Sequence, residues 1–159
     1  MSKIKPITRY RVSYRVIYGD TDQMGVAYYA NYLKWFEMGR NEFMRKTGTP
    51  YTSIEKEGLV FPVIEVSCRY HSPARYDEVI VVETSLTSLG PVTLVFSYEV
   101  LKQKDNQVLA TGWSKHACLN RQGQITKIPS HFQETMKPAL SDIPSGPRRP
   151  RKRVSRKPA

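Results

Sequence analysis

The sequence contains few of the residues that build disulfide frameworks or metal centres. Its two cysteines, Cys68 and Cys118, lie inside apolar runs, and its three histidines, His71, His116 and His131, are widely separated. None of them has the spacing of a metal-ligand motif. We therefore expect two small buried thiols in a reducing compartment, no bound metal and no cofactor.

Long apolar segments are also missing. No run approaches the length of about 20 residues that a membrane-spanning helix needs, and the positively charged N-terminus is not followed by the apolar core of a signal peptide. The 159 residues are enough for one domain with a sizeable core. These features predict a soluble, cytoplasmic, single-domain protein.

The net charge is +11, and the excess of positive charge is concentrated at the C-terminus. Residues 141–159 hold seven Lys or Arg against Asp142, which gives +6 and leaves +5 for residues 1–140. This proline-rich segment has almost nothing to bury and is predicted to be disordered. It can touch an anionic membrane or nucleic acid nonspecifically, or equally remain solvated without a partner. We expect an N-terminal arm at 1–8, a domain at 9–140 and this tail at 141–159.

The order of the predicted elements indicates an α+β fold. Residues 30–46 carry strong helix formers, with Trp35, Phe36 and Phe43 near helical spacing, and residues 64–70 alternate apolar and polar side chains as a half-buried antiparallel strand does. One long apolar helix against one curved sheet is the economical arrangement. The predicted order is a strand at 10–18, helices at 30–46 and 52–57, strands at 64–70, 79–86, 94–100, 108–119 and 124–128, and a helix at 131–140 with Ser130 as its N-cap.

The stretch from Tyr18 to Tyr32 places two carboxylates and a glycine directly before the long helix. Asp20 suits the role of a cap for backbone donors, whereas Asp22 is too far from the helix to be its simple N-cap. Gly25 leaves room for a ligand, and the first N–H groups of the helix are unpaired and carry the positive end of its dipole. A carboxylate beside such donors is typical of an acyl-transfer site, while a purely structural turn is the alternative.

Two segments resemble the hotdog-fold acyl-CoA thioesterases, in the branch of 4-hydroxybenzoyl-CoA thioesterase and the bacterial short-chain acyl-CoA thioesterases. They are GDTDQMGVAYYANYLKWFE, with its D-x-D-x-x-G pattern, and FPVIEVSCRYHSPARYDEVIVVETSL, with its PAR-D turn between strands. The resemblance covers about residues 9–135. It implies a single hotdog domain, a long central helix wrapped by a curved antiparallel sheet of five to six strands, in a dimer or a tetramer of dimers whose sites form at subunit interfaces.

The same resemblance implies hydrolysis of acyl-CoA to free acid and CoA. Asp22 corresponds to the catalytic carboxylate, as nucleophile or general base, and the backbone N–H of Tyr29 to the oxyanion donor. Phe61 and its two neighbours correspond to the wall of the acyl pocket. The implied substrate-binding residues are Gly25, Val26, Tyr28, Phe61, Pro62 and Val63.

The chain departs from the family pattern at two places. Short-chain members often have His where this chain has Tyr29, and aromatic-acyl members have a basic triplet for the CoA phosphates where it has Gly90-Pro91-Val92. The phosphates must then be bound elsewhere, with Lys102, Lys104, Arg121 and the tail as candidates. The alternatives are a thioesterase for an aromatic acyl-CoA or an acyl carrier protein, and a noncatalytic acyl-CoA-binding scaffold.

Two further charged pairs are expected from the sequence. Arg75 and Asp77 lie in the PAR-D turn and are predicted to stabilise it as a pair. Glu37 and Arg40 are one turn apart on the long helix and are predicted to form an i,i+3 ion pair or a subunit contact.

Overall fold

The computed structural model describes residues 5–142. The proposed tail from residue 143 onward and the first four residues of the N-terminal arm lie outside this range, so the domain limits and the tail's partners stay predictions. Two 3₁₀ turns, Tyr18–Asp20 and Lys137–Ala139, accompany the main elements. These are β1 (Tyr10–Arg15), α1 (Asn31–Lys46), α2 (Tyr51–Lys56), β2 (Val63–Tyr70), β3 (Val79–Leu89), β4 (Thr93–Lys102), β5 (Val108–Ala117) and α3 (Ser130–Met136).

The strands form one antiparallel sheet in the order β1-β3-β4-β5-β2. β3 and β4 are central, in agreement with the nearly continuous apolar run in β3, and β1 and β2 are the two edges. One long helix packs on this single sheet, which confirms the predicted α+β arrangement. Among residues 5–142, no helix is long and apolar enough to cross a membrane.

The long helix α1 packs closely on the sheet through its aromatic residues. The Phe36 ring stacks on Tyr98 at a centroid distance of 4.3 Å, and the Phe43 ring meets Phe96 edge-on at 5.9 Å. Gly39 lets the helix backbone approach β3, because a Cβ there would lie 2.8 Å from Cγ1 of Val82. The prediction that these aromatic residues form the core is confirmed.

Two predicted details near the C-terminus are wrong. Residues 124–128 make only an isolated bridge between Leu119 and Ile125, so the sheet has five strands among the described residues. A tight turn through Gly123, with φ of +74°, leaves too short a segment to form a ladder. Ser130 is not the N-cap of α3, because the N–H groups of Phe132 and Gln133 both donate to the carbonyl of Pro129 at 3.0 Å.

The edge strand β2 has the predicted alternation but lacks the predicted burial. Val66 pairs with the inward-facing Ser114 of β5, so its side chain lies on the helix-bearing face, together with Cys68 and Tyr70. In the single chain, however, Val66 is 44% exposed and Tyr70 46% exposed. The reason is that α1 packs mainly over β1, β3 and β4 and leaves most of β2 uncovered, apart from the edge-on contact of Tyr32 with Tyr70.

Candidate active site

Asp20 fixes the loop between β1 and α1. Its carboxylate Oδ2 accepts hydrogen bonds from the Tyr14 hydroxyl at 2.8 Å and from the N–H of Ile17 at 2.9 Å. Its backbone carbonyl accepts from the N–H of Tyr28 at 2.7 Å and from Nδ2 of Asn31 at 2.8 Å. Burial, and then the Asp20 carboxylate, raise the pKa of Tyr14. Asp20 is therefore a scaffold residue, as the sequence predicted.

Asp22 begins a tight turn that closes at Val26. The N–H of Asp22 donates to the carbonyl of Val26 at 2.9 Å, and the carbonyl of Asp22 accepts from Gly25 at 3.0 Å. Oδ1 of Asp22 accepts from the N–H of Met24 at 2.9 Å, which orients the carboxylate. Within the part of the chain that the structure describes, Oδ2 has no donor, so one oxygen of a half-buried carboxylate is available.

Gly25 provides an opening next to this carboxylate. Its φ is +74°, a conformation that an L side chain rarely adopts, and an ideal Cβ built there meets nothing within 4 Å. The space beside the turn is therefore open, and its use by a ligand stays a prediction.

The start of α1 follows directly. The N–H of Asn31 donates to the carbonyl of Tyr28 at 3.0 Å, and that of Tyr32 donates to the carbonyl of Tyr29 at 3.4 Å. The N–H of Tyr29 itself has no acceptor within residues 5–142. This donor precedes a helix of 16 residues, whose N-terminal end carries partial positive charge. The position can receive a developing oxyanion.

Several tyrosines surround this donor. The Tyr70 hydroxyl of β2 donates to the carbonyl of Tyr29 at 2.8 Å, a contact that the sequence did not predict, and burial raises the pKa of Tyr70. The rings of Tyr28 and Tyr29 are 4.6 Å apart. Hydrogen bonding to Tyr29 raises the pKa of Tyr28, with smaller contributions in the same direction from burial and the Asp22 carboxylate. The Asp22 carboxylate therefore lies close enough to Tyr28 to act on it electrostatically.

The second sequence motif lies against the first. The N–H of Ala27 donates to the carbonyl of Ala74 at 2.8 Å, and Val26 bridges Arg75. The N–H of Ala74 in turn donates to the Tyr32 hydroxyl of α1 at 3.2 Å. The PAR-D turn therefore supports the Asp22 turn from one side through its backbone.

Neither of the two predicted ion pairs forms. Asp77 pairs with Arg15 at 3.4 Å rather than with Arg75, because its φ of +67° turns it toward β1. Glu37 and Arg40 form no ion pair within 4 Å, and Arg40 instead lines a cavity beneath α1. The alternative that these two residues make a subunit contact stays a prediction.

The predicted acyl-pocket residues lie far from Asp22 within one chain. Phe61 is buried two residues before β2, where its carbonyl accepts from Nδ1 of His116 at 3.0 Å, whereas Pro62 and Val63 are exposed. Tyr70, which contacts Tyr29, is at the other end of the strand. Seven residue steps of about 3.3 Å separate Val63 from Tyr70, or about 23 Å. A single chain does not bring Phe61, Pro62 and Val63 together with Asp22.

The candidate residues for CoA phosphates differ in availability. Lys102 forms an ion pair with Glu78 at 3.1 Å, and both side chains are about a quarter exposed. Lys104 and Arg121 are exposed, and the Arg121 side chain packs against Gly58. Their role in phosphate binding stays a prediction.

Comparison with known proteins agrees with this architecture. The model of the thioesterase-like superfamily matches residues 16–136. The chain belongs to this superfamily. Acyl-CoA thioesterase YbgC of Haemophilus influenzae is 33% identical over 107 residues, which cover 67% of this chain and 77% of the relative. Acyl-CoA thioester hydrolase YbgC of Escherichia coli O6:H1 is 32% identical over 98 residues, covering 62% and 73%.

Two solved structures are also similar to this chain over most of its length. The protein TT1821 of Thermus thermophilus is 32% identical, with a TM-score of 0.76 and coverage of 81% of this chain and 95% of that one. The gentisyl-coenzyme A thioesterase BH1999 is 27% identical, with a TM-score of 0.71 and coverage of 78% and 99%. The hotdog fold predicted from the two motifs is therefore confirmed.

Proposed function

We propose that the protein hydrolyses the thioester bond of acyl-CoA to a free acid and CoA. The observation that carries this proposal is the joint presence of an oriented carboxylate with one available oxygen at Asp22, a gap at Gly25, and an N–H without an acceptor at Tyr29. Relatives at 32% and 33% identity are named acyl-CoA thioester hydrolase and acyl-CoA thioesterase, which supports CoA as the carrier.

In this proposal the thioester carbonyl lies between Asp22 and the N–H of Tyr29. Either the carboxylate attacks the carbonyl carbon, or it takes a proton from an attacking water. Both routes form a tetrahedral oxyanion, which the N–H and the positive end of α1 stabilise. Collapse expels the CoA thiolate. The first route leaves a mixed anhydride on Asp22 that water then hydrolyses, and the second gives the acid directly.

The proposal includes a homodimer formed through β2. Val66 and Tyr70 on the inward face of this edge strand are 44% and 46% exposed, and Leu33 on α1 is 39% exposed. Antiparallel pairing of two β2 strands would remove both edges and let the partner protomer cover exposed hydrophobic side chains of this kind. The same pairing would bring Phe61 of one protomer toward the Tyr29 end of the other. A tetramer of such dimers stays a prediction.

An aromatic acyl group is the second candidate substrate. Tyr29, in place of His, resembles the aromatic-acyl type, and the gentisyl-CoA thioesterase at 27% identity is similar over most of the chain. Benzoyl-CoA and butyryl-CoA, compared at equal concentration, distinguish the two substrate classes.

The test is Asp22→Asn, which keeps an oxygen for the N–H of Met24 but removes the nucleophile or base. We expect kcat to fall by about 10²–10⁴-fold with the fold intact. Asp105→Asn is the matched control, because Oδ1 of Asp105 makes the same contact, to the N–H of Gln107 at 3.0 Å, in the β4–β5 hairpin, which contains none of the site residues. If Asp22→Asn hydrolysed acyl-CoA as fast as the wild type, the assignment would be wrong. If the wild type bound acyl-CoA but did not hydrolyse it, the result would support the noncatalytic scaffold instead.

A further inference from the structure

A cavity of about 140 Å³ lies between the middle of α1 and the inward faces of β4 and β5. Phe61, Leu94 and Phe96 form a buried apolar floor. Glu37, which is exposed, and Asn41, which is half-buried, lie on the side toward solvent. The cavity is thus a blind pocket whose mouth opens beside α1.

A fully engaged hydrogen-bond chain fixes His116, which forms part of the wall of this cavity. A carbonyl can only accept, so Nδ1 of His116 donates to the carbonyl of Phe61 at 3.0 Å. Nε2 of the neutral ring must then accept from the Ser114 hydroxyl at 2.8 Å, and Ser114 accepts from the Tyr98 hydroxyl at 2.5 Å. Burial is the main cause that lowers the pKa of His116, to about 4, so the ring is neutral at pH 7. This wall therefore offers no free donor to a ligand.

Arg40 is the cationic residue among those that line the cavity. Most of the N–H donors of its guanidinium have no acceptor in the described part of the chain. Its guanidinium lies close enough to the Tyr98 hydroxyl to oppose the rise that burial causes in the pKa of Tyr98. No carboxylate among residues 5–142 lies within 4 Å of it, not even that of Glu37 on the same helix. A guanidinium carries five N–H donors, and one hydroxyl satisfies few of them. The cavity therefore contains a half-buried cation that has no carboxylate partner and keeps most of its N–H donors available.

The position of the cavity relates it to the site of a partner protomer. It lies at the Phe61 end of β2, whereas Tyr29 lies at the Tyr70 end, and both are on the helix-bearing face of the sheet. Antiparallel pairing of two β2 strands would therefore place the cavity of one protomer beside the Tyr29 donor of the other. The acyl group of a thioester held at that donor would point toward the cavity.

We propose that this cavity is the acyl subsite, and that Arg40 selects short or single-ring acyl groups that carry an oxygen acceptor at their far end. The inference rests on the proposed thioesterase function. The volume supports it, since a cavity of about 150 Å³ holds one benzene molecule. A 16-carbon chain does not fit. The acceptor is either a phenolic oxygen on a ring or the far carboxylate of a short diacid, and both would hydrogen-bond the guanidinium.

The test compares matched substrates in the full-length protein. Two pairs separate the two sources of the acceptor: 4-hydroxybenzoyl-CoA with benzoyl-CoA, and glutaryl-CoA with pentanoyl-CoA. Arg40→Met should lower kcat/KM about tenfold or more for the oxygen-bearing member of at least one pair, and leave its partner nearly unchanged. Arg45→Met is the control, because Arg45 lies on the same helix, pairs with Glu42 and does not line the cavity.

Two outcomes would overturn the proposal. One is an equal loss for both members of each pair in Arg40→Met, which would assign Arg40 to packing or to a subunit contact. The other is faster hydrolysis of palmitoyl-CoA than of any short acyl-CoA by the wild type. If Arg40→Met does not fold, Arg40→Lys retains the charge but not the planar fork, and a smaller loss confined to the oxygen-bearing member is expected.

A size test is independent of Arg40. Phe61→Leu enlarges the cavity and should shift preference toward a longer acyl chain, from butyryl-CoA to octanoyl-CoA. Phe43→Leu is the matched control, because Phe43 is equally a buried core ring but does not line the cavity. An identical chain-length profile in the two variants would contradict the assignment.

A failure of the proposed thioesterase function can be distinguished from a failure of the acyl-subsite proposal. If no acyl-CoA is hydrolysed, or if Asp22→Asn is fully active, the proposed function fails. The cavity is then tested by titration calorimetry with free 4-hydroxybenzoate and glutarate. Binding that Arg40→Met abolishes would support the subsite without the chemistry, and the absence of such binding would overturn it.

Discussion

The buried His116 should make folding stability depend on pH between about 4 and 6.5. The ring is 2% exposed, and its pKa is about 4 in the folded protein against 6.5 for a free imidazole. The unfolded chain therefore binds a proton more tightly than the folded one. The contribution of neutral His116 is complete above pH 6.5 and is lost as the pH falls toward 4.

The size of this effect follows from the two pKa values. Each unit of difference corresponds to about 1.36 kcal/mol, so protonation at low pH costs the folded state about 3 kcal/mol. Between pH 7 and pH 5 the expected loss is about 2 kcal/mol. The measurement is urea unfolding of the wild type and of His116→Gln at both pH values, with the protein concentration held fixed because oligomer stability depends on it.

Other groups also titrate in acid, so the informative quantity is the difference between variants. His116→Gln should lose about 2 kcal/mol less than the wild type between pH 7 and pH 5, whatever its stability at pH 7. His71→Gln is the control, because His71 is exposed and its ring hydrogen-bonds only the hydroxyl of Thr111 in the described structure. Equal losses in the wild type and in His116→Gln would refute the burial argument.

Two further predictions concern packing. Gly39→Ala should destabilise the fold by about 1–3 kcal/mol in urea unfolding, since the added Cβ would lie 2.8 Å from Cγ1 of Val82 and force α1 away from β3; an unchanged midpoint would contradict the close packing. Val66→Lys places a charge on the open face of β2 and should shift the protein toward monomer in analytical ultracentrifugation, with loss of hydrolysis. An active dimer in that variant would mean that β2 is not the interface.

The fold could be predicted because helix and strand have different hydrophobic periods. The change of period between Lys46 and Ile64 separates α1 from the strands, and Gly48 and Gly58 end the two helices that precede β2 with φ of +90° and +77°. The predicted strand that does not form has a tertiary cause. Residues 124–128 have strand-like composition but no neighbouring strand to pair with, and pairing depends on tertiary structure rather than on propensity.

The candidate site could be predicted from the sequence where neighbouring residues along the chain form it. The different positions of Asp20 and Asp22 relative to α1 were sufficient to expect a scaffold role for the first and an available carboxylate for the second. The chain of Tyr98, Ser114 and His116 was not predicted. Ser114 and His116 are two residues apart on β5 and so share a face, which is a usable signal, but their contact with the carbonyl of Phe61 depends on the register of β2 against β5.

The uncovered β2 strand connects the fold with the proposed chemistry. A strand whose inward residues Val66 and Tyr70 are 44% and 46% exposed conflicts with its own alternating pattern, which is typical of a strand with one buried face. The conflict disappears if a second copy of the chain covers that face. The predicted pocket residues raise a second conflict. Val63 lies about 23 Å along β2 from Tyr70, which is at the Tyr29 end of the site. One antiparallel pairing resolves both, so loss of the dimer and loss of hydrolysis should occur together in Val66→Lys.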